Sequence, residues 1–235
     1  MSCVLLTGAN RGLGLEMTRQ YLARGWEVIV LTRSVTPELE ILDSEGSLEI
    51  HQITLTDDEA LARVAAMLTG RTIDVLINNA GTMGYSSFAE EGFEIQQFGS
   101  FNRQEWHDVF DINVFTPMRI SELFLDNVAA ADNGRIVTIS SMLGSMGLNT
   151  MGGLYLYRAS KAAVNSIMTS MGVDLGKGGV IAAALHPGWV QTDMGGSEAD
   201  IDAQTSVSGL LQVIDNLSPA QAGKLIAYDG SEMPF

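Results

Sequence analysis

Tyr157 and Lys161 stand one helical turn apart in Tyr157-Arg158-Ala159-Ser160-Lys161. Residues at i and i+4 share a helix face. A phenol ordinarily ionises at a pKa of about 10, too high to exchange a proton readily in neutral water. A lysine cation ~4 Å away at moderate dielectric contributes up to ~4 kcal/mol, enough to lower that pKa by ~2–3 units. Such a tyrosine can protonate a carbonyl oxygen, or deprotonate an alcohol in the reverse direction. Tyr155 is six residues from Lys161 and points from a different face. The spacing also describes an ordinary surface pair, so the chemistry needs partners elsewhere in the chain.

One partner is a phosphate-binding turn. Thr7-Gly8-Ala9-Asn10-Arg11-Gly12-Leu13-Gly14 follows the first apolar run and opens a helical pattern. Glycines allow a tight turn and let backbone N–H groups approach an anion, and the helix dipole adds to the attraction. The spacing G-x-x-x-G-x-G differs from G-x-G-x-x-G, so the chemistry is related and the family is another one. The second apolar run ends Leu31-Thr32-Arg33-Ser34 and carries no acid there. An acid in that place would bond a ribose 2′-hydroxyl, whereas a cation suits a 2′-phosphate. Arg33 and Arg11 therefore predict NADP(H) over NAD(H), unless both are solvated surface arginines.

The elements that must position these residues follow from periodicity. Residues 3–6, 28–31, 48–53, 73–77, 136–139, 180–185 and 225–227 read as strands, several nearly continuous in apolar residues. Helical patterns occupy 12–23, 57–68, 103–130, 154–174 and 202–216. The alternation predicts an α/β fold, a doubly wound parallel sheet of about seven strands with helices on both faces, in a single domain over residues 1–235. Asn102 and Glu105 predict a capping box ahead of the third helix. Residues 81–100 read as an irregular loop over one end of the sheet. Pro117 predicts a kink in the helix over 103–130, since it offers no N–H to the carbonyl of Asn113.

Composition narrows the partners. The chain has 235 residues, with 28 acids against 13 bases and a net charge of −15. That balance repels nucleic acid and anionic membranes. No stretch reads as a membrane span or a secretion signal. The lone Cys3 cannot form an internal disulfide, which suits a cytoplasmic protein. His51, His107 and His186 lack ligand spacing, so no metal site is expected. Met142, Met146 and Met151 read either as core filler or as adaptable substrate lining.

Taken with Asn78-Asn79-Ala80-Gly81, Asn113, Ser140-Ser141 and Pro187-Gly188-x-x-x-Thr192, the chain resembles the short-chain dehydrogenase/reductase family. Residues 186–196 and 228–235 are similar to its C-factor and sniffer-type carbonyl reductase subgroup. The resemblance implies a Rossmann-fold, NADP(H)-dependent carbonyl reductase or alcohol dehydrogenase acting on a small molecule, as a homodimer or homotetramer. It makes Tyr157 the acid/base. Lys161 would lower its pKa and hold the nicotinamide ribose, Ser141 would orient the substrate oxygen, and Asn113 would support a relay water. For the cofactor it implies Gly8, Asn10, Arg11, Gly12, Leu13, Gly14, Arg33, Asn79, Ala80, Gly81, Tyr157, Lys161, Pro187, Gly188, Val190 and Thr192. A purely structural reading survives for each, most strongly for Asn79 as a brace for the sheet. Relatives usually carry an aspartate after the third strand, near the adenine. Ile53-Thr54-Leu55-Thr56 has none, which leaves Thr54 and Leu55 for that contact. The other reading is a C-factor-like signalling or regulatory protein on the same scaffold.

Overall fold

A computed structural model describes residues 2–42, 46–92 and 95–235. Strand β1 (Cys3–Thr7) leads through the glycine turn into α1 (Gly12–Ala23). Then come β2 (Glu27–Thr32), α2 (Pro37–Leu42), β3 (Leu48–Gln52), α3 (Asp58–Met67) and β4 (Val75–Asn78). The short α4 (Phe88–Glu91) interrupts the loop expected over 81–100, of which residues 93–94 lie outside the described residues. After α5 (Arg103–Phe110) come α6 (Thr116–Leu123), α7 (Leu125–Ala129), β5 (Arg135–Ile139) and α8 (Tyr155–Gly176). The chain closes with β6 (Ile181–His186), α9 (Ala203–Asp215), β7 (Leu225–Ala227) and β8 (Glu232–Met233).

The strands form one sheet in the order β3-β2-β1-β4-β5-β6-β7-β8. Every pairing is parallel except β7 with β8. The seven expected strands are all present, and β8 is an added two-residue edge too short to show a period. Alternation along β1 divides the core. Val4 and Leu6 join Met17, Tyr21 and Leu210 on the face covered by α1 and α9. Cys3 and Leu5 join Leu61, Phe124, Val164 and Met168 on the face covered by α3, α6 and α8. No helix among the described residues is long and apolar enough to cross a membrane.

The helix expected over 103–130 is broken into three α segments. Between α5 and α6 the chain makes a π turn over Asp111–Phe115, with Thr116 N–H reaching back to the Asp111 carbonyl. Pro117 then sits in the first turn of α6, where its missing N–H costs least. The kink is thus a widened turn that restarts the helix at the proline. Asn102 caps α5 by accepting from the Gln104 and Glu105 amides. The expected reciprocal bond is replaced, because the Glu105 carboxylate accepts from the Tyr85 amide, 2.8 Å away, and holds the loop after β4.

Candidate active site

A groove of about 820 Å³ lies beyond the carboxyl ends of the strands, where open parallel sheets collect their ligands. Separate strands deliver its walls. The turn from Gly8 to Gly14 follows β1, Arg33 follows β2, Thr54 and Leu55 follow β3, and Asn79, Ala80 and Gly81 follow β4. Tyr157 and Lys161 close the inner end, with Pro187 and Thr192 after β6.

The glycine turn is shaped for an anion. Gly8 has φ +73 and its amide donates to the Leu31 carbonyl at 2.9 Å. A Cβ on Gly14 would lie 2.1 Å from the Gly8 carbonyl oxygen, so only glycine fits there. Arg11 precedes α1 without a side-chain cap, and no acid stands in the helix's first turn. The helix end therefore keeps donors and positive potential for a ligand, which fits a dinucleotide pyrophosphate. Asn79 serves as a brace: its Nδ2 donates to the Thr7 and Gly8 carbonyls at 2.9 and 3.2 Å. Thr7 Oγ1 in turn accepts from the Asn79 and Ala80 amides, both at 3.0 Å.

The two arginines expected to flank a 2′-phosphate differ. Arg33 is exposed at the groove and has no carboxylate partner among the described residues. Arg11 instead pairs with Asp193 at 2.6 Å, both exposed, across the groove mouth. Asn10 ties this wall together, donating to Ser34 Oγ at 3.1 Å.

Tyr157 and Lys161 share the buried face of α8, as their spacing predicts. Their electrostatics run against the expectation from spacing. Burial pushes the Tyr157 phenol up to about 12, and a hydrogen bond with the Ser141 side chain pulls the other way. Burial brings Lys161 down to about 8. Lys161 Nζ lies 5.6 Å from the tyrosine ring centroid and donates to the Ile139 carbonyl at 2.8 Å. Desolvation disfavours both charged forms. Desolvation thus opposes the expected lowering, and Ser141 is the side chain that pulls the phenol down. Ser141 also caps the turn Met142–Gly144, accepting from the Leu143 amide at 3.1 Å.

Asn113 is buried behind the groove wall, in the π turn. Its side chain accepts from the Thr82 amide at 2.9 Å and donates to the Thr82 carbonyl at 2.8 Å and to Ser160 Oγ at 3.0 Å. Ser160 Oγ donates onward to the Tyr157 carbonyl at 2.8 Å. Thr7, Thr82, Ser160 and Gln96 were not legible as site residues. Thr7 and Ser160 nonetheless stood inside recognised motifs. Gly188 and Val190 do not line the groove. Gly188, at φ +86, packs against Ile201 and Tyr228, and Val190 bridges to Ile201, so both support the segment that presents Pro187 and Thr192.

This arrangement coincides with a family. The family model for short chain dehydrogenase matches residues 2–202. The chain belongs to the short-chain dehydrogenase family. Among curated short-chain dehydrogenase relatives, the C-signal of Myxococcus xanthus is 40% identical over 163 residues, covering 69% of this chain and 93% of that protein. The carbonyl reductase Sniffer of D. melanogaster superposes with a TM-score of 0.90 at 30% identity, over 100% of both chains. An NADPH-bound carbonyl reductase from chicken fatty liver gives 0.88 at 30% identity, over 100% of this chain and 99% of that one.

Proposed function

We propose that this chain is an NADP(H)-dependent oxidoreductase that interconverts a carbonyl and an alcohol, with Tyr157 as acid/base. The observation that carries the reading is the placement of the buried Tyr157 and Lys161, one helical turn apart on α8, at the inner end of the groove. When bound, the dinucleotide supplies or accepts a hydride. The turn from Gly8 to Gly14 holds its pyrophosphate, and Arg33 takes the 2′-phosphate. Backbone and side chain at Thr54 and Leu55 receive the adenine.

Ser141 orients the substrate oxygen and Tyr157 passes it a proton. Lys161 holds the nicotinamide ribose. The Asn113 carbonyl, denied its ordinary i+4 donor by Pro117, receives a relay water that reaches Lys161. Tyr157 packs with Met83, Ile95 and Leu154, and Leu143 and Met194 cover the same cluster, which favours an apolar carbonyl substrate. The chain assembles as a homodimer or homotetramer through α6 and α8; Phe115 and Met118 are exposed beside that face.

The likeness to an NADPH-bound carbonyl reductase and to Sniffer supports this reading. The likeness to C-signal favours a second one, a signalling role on the same scaffold. The presence of Asn113, Ser141, Tyr157 and Lys161 together weighs towards catalysis. The deciding experiment is NADPH oxidation against a panel of aldehydes, ketones and quinones. Turnover of any of them supports the reductase. NADPH binding with no turnover across the panel leaves the signalling reading standing.

A further inference from the structure

Helix α8 begins without a cap of its own. Its N-cap residue, Leu154, has φ +52 and an aliphatic side chain, so the first amides of the helix need acceptors from outside. One residue supplies two of them. The Gln96 carbonyl accepts from the Tyr155 amide at 3.3 Å, and Gln96 Oε1 accepts from the Tyr157 amide at 2.8 Å. The same side chain donates through Nε2 to the Met83 carbonyl. Gln96 itself holds φ +54, a left-handed conformation that a non-glycine residue keeps only where its surroundings impose it. Met83 meanwhile lines the groove and packs with Ile95, Leu154 and Tyr157.

Resting on the proposed function, we infer that Gln96 is a positioning residue for Tyr157. It ties the backbone of the acid/base to the Met83 wall of the groove, so that the phenol keeps its bond with Ser141. An unrelated surface helix could be capped by water. Here the capped amide belongs to the residue whose side chain must meet the substrate oxygen, and the capping group reaches the wall that the substrate would touch.

The test compares Gln96→Ala and Gln96→Glu with the parent. The glutamate keeps the acceptor for the Tyr157 amide and loses the donor to Met83. For Gln96→Ala, kcat is expected to fall about tenfold, with the NADPH Kd within twofold of the parent. The tyrosine limb of the kcat pH profile should move upward, because Ser141 is the contact that pulls the phenol down. Gln96→Glu should recover part of kcat. A second readout needs no turnover: the Tyr157 ring carbon NMR signal, assigned with Tyr157→Phe, and hydrogen exchange at its amide. If the parent proves inactive, the functional reading fails alone, and a moved ring signal with faster amide exchange still supports the positioning role. A lower melting point in Gln96→Ala with unchanged kcat, pH limb and ring signal would make Gln96 a stabilising cap only and overturn the inference.

Discussion

The sharpest test of the glycine turn sets Gly14→Ala against Gly12→Ala, because the two glycines are required for different reasons. At Gly14 a Cβ would lie 2.1 Å from the Gly8 carbonyl oxygen and 2.6 Å from Asn79 Nδ2. Neither neighbour can yield easily. One is backbone within the turn, and the other is held by the Thr7 and Gly8 carbonyls. Overpacking of this kind costs ~1–3 kcal/mol, and loosening the Asn79 bonds adds ~1 kcal/mol. Alanine returns up to ~1 kcal/mol of helix propensity, so the net loss is ~1–3 kcal/mol, centred on ~2 kcal/mol. At Gly12 the nearest foreign atom is Thr192 Cγ2 at 3.6 Å, so space exists, but φ is +54. That conformation costs an alanine ~1 kcal/mol. For a chain of this length ~1 kcal/mol moves the midpoint by ~2–4 °C. Thermal melts without cofactor should therefore show Gly14→Ala lower by ~4–8 °C and Gly12→Ala by ~2–4 °C. NADPH affinity should fall in both. A Gly14→Ala midpoint at or above that of Gly12→Ala would refute the steric argument.

Tyr157→Phe should abolish turnover with NADPH binding nearly intact, whereas Tyr155→Phe, half-exposed on another face, should keep substantial activity; equal rates for Tyr157→Phe and the parent would end the proposed mechanism. Arg33→Asp should weaken NADPH by ~1.5–3 kcal/mol and shift preference towards NADH, read by titration of both cofactors; a parent that prefers NADH contradicts the phosphate reading. His186 is brought down to about 4 from 6.5, mainly by burial, so its neutral form is the folded one. Its contribution is complete above pH 6.5 and is lost as pH falls through about 4, up to ~3 kcal/mol in all. His186→Gln should flatten stability against pH across that window in urea titrations, and an unchanged slope would show that other groups control it.

Much of the fold was legible because its signals are local. The strands are apolar runs bounded by turns, and burial on both faces of a parallel sheet writes that pattern directly into sequence. The glycine turn, the Tyr157–Lys161 spacing and the residues after β4, β5 and β6 could be placed for the same reason. What escaped was non-local. Glu105 looked like half of a capping box, and only the fold brings the Tyr85 amide to its carboxylate. The π turn over Asp111–Phe115 has no periodic signature of its own; Pro117 marked a break without saying what form it takes. Arg11 could be placed at the groove, but Asp193 lies far along the chain and claims it only in three dimensions. Gln96 sits in a loop without period, so nothing in its neighbourhood announces a cap for α8.

Burial bears most directly on the proton. Spacing suggested that Lys161 makes Tyr157 acidic, whereas burial displaces both groups towards their neutral forms, to about 12 and about 8. At neutral pH the phenol keeps its proton, and the lysine, still below its pKa, keeps most of its charge. In the proposed reaction a carbonyl oxygen arriving at Tyr157 meets a donor that is already loaded. Reduction needs no prior ionisation, while alcohol oxidation needs a phenolate that burial opposes. On the proposed reading, reduction finds its proton in place at neutral pH, and oxidation should speed up as pH rises. Besides Gln96, two contacts bear on how well the loaded proton is aimed. Ser141 holds the phenol from the front, and the Asn113–Ser160 link holds the Tyr157 carbonyl from behind, joining the loop after β4 to α8 through a single buried amide. On the proposed reading the Tyr157 phenol is aimed by hydrogen bonds and kept protonated by burial, with Lys161 left to hold the nicotinamide ribose.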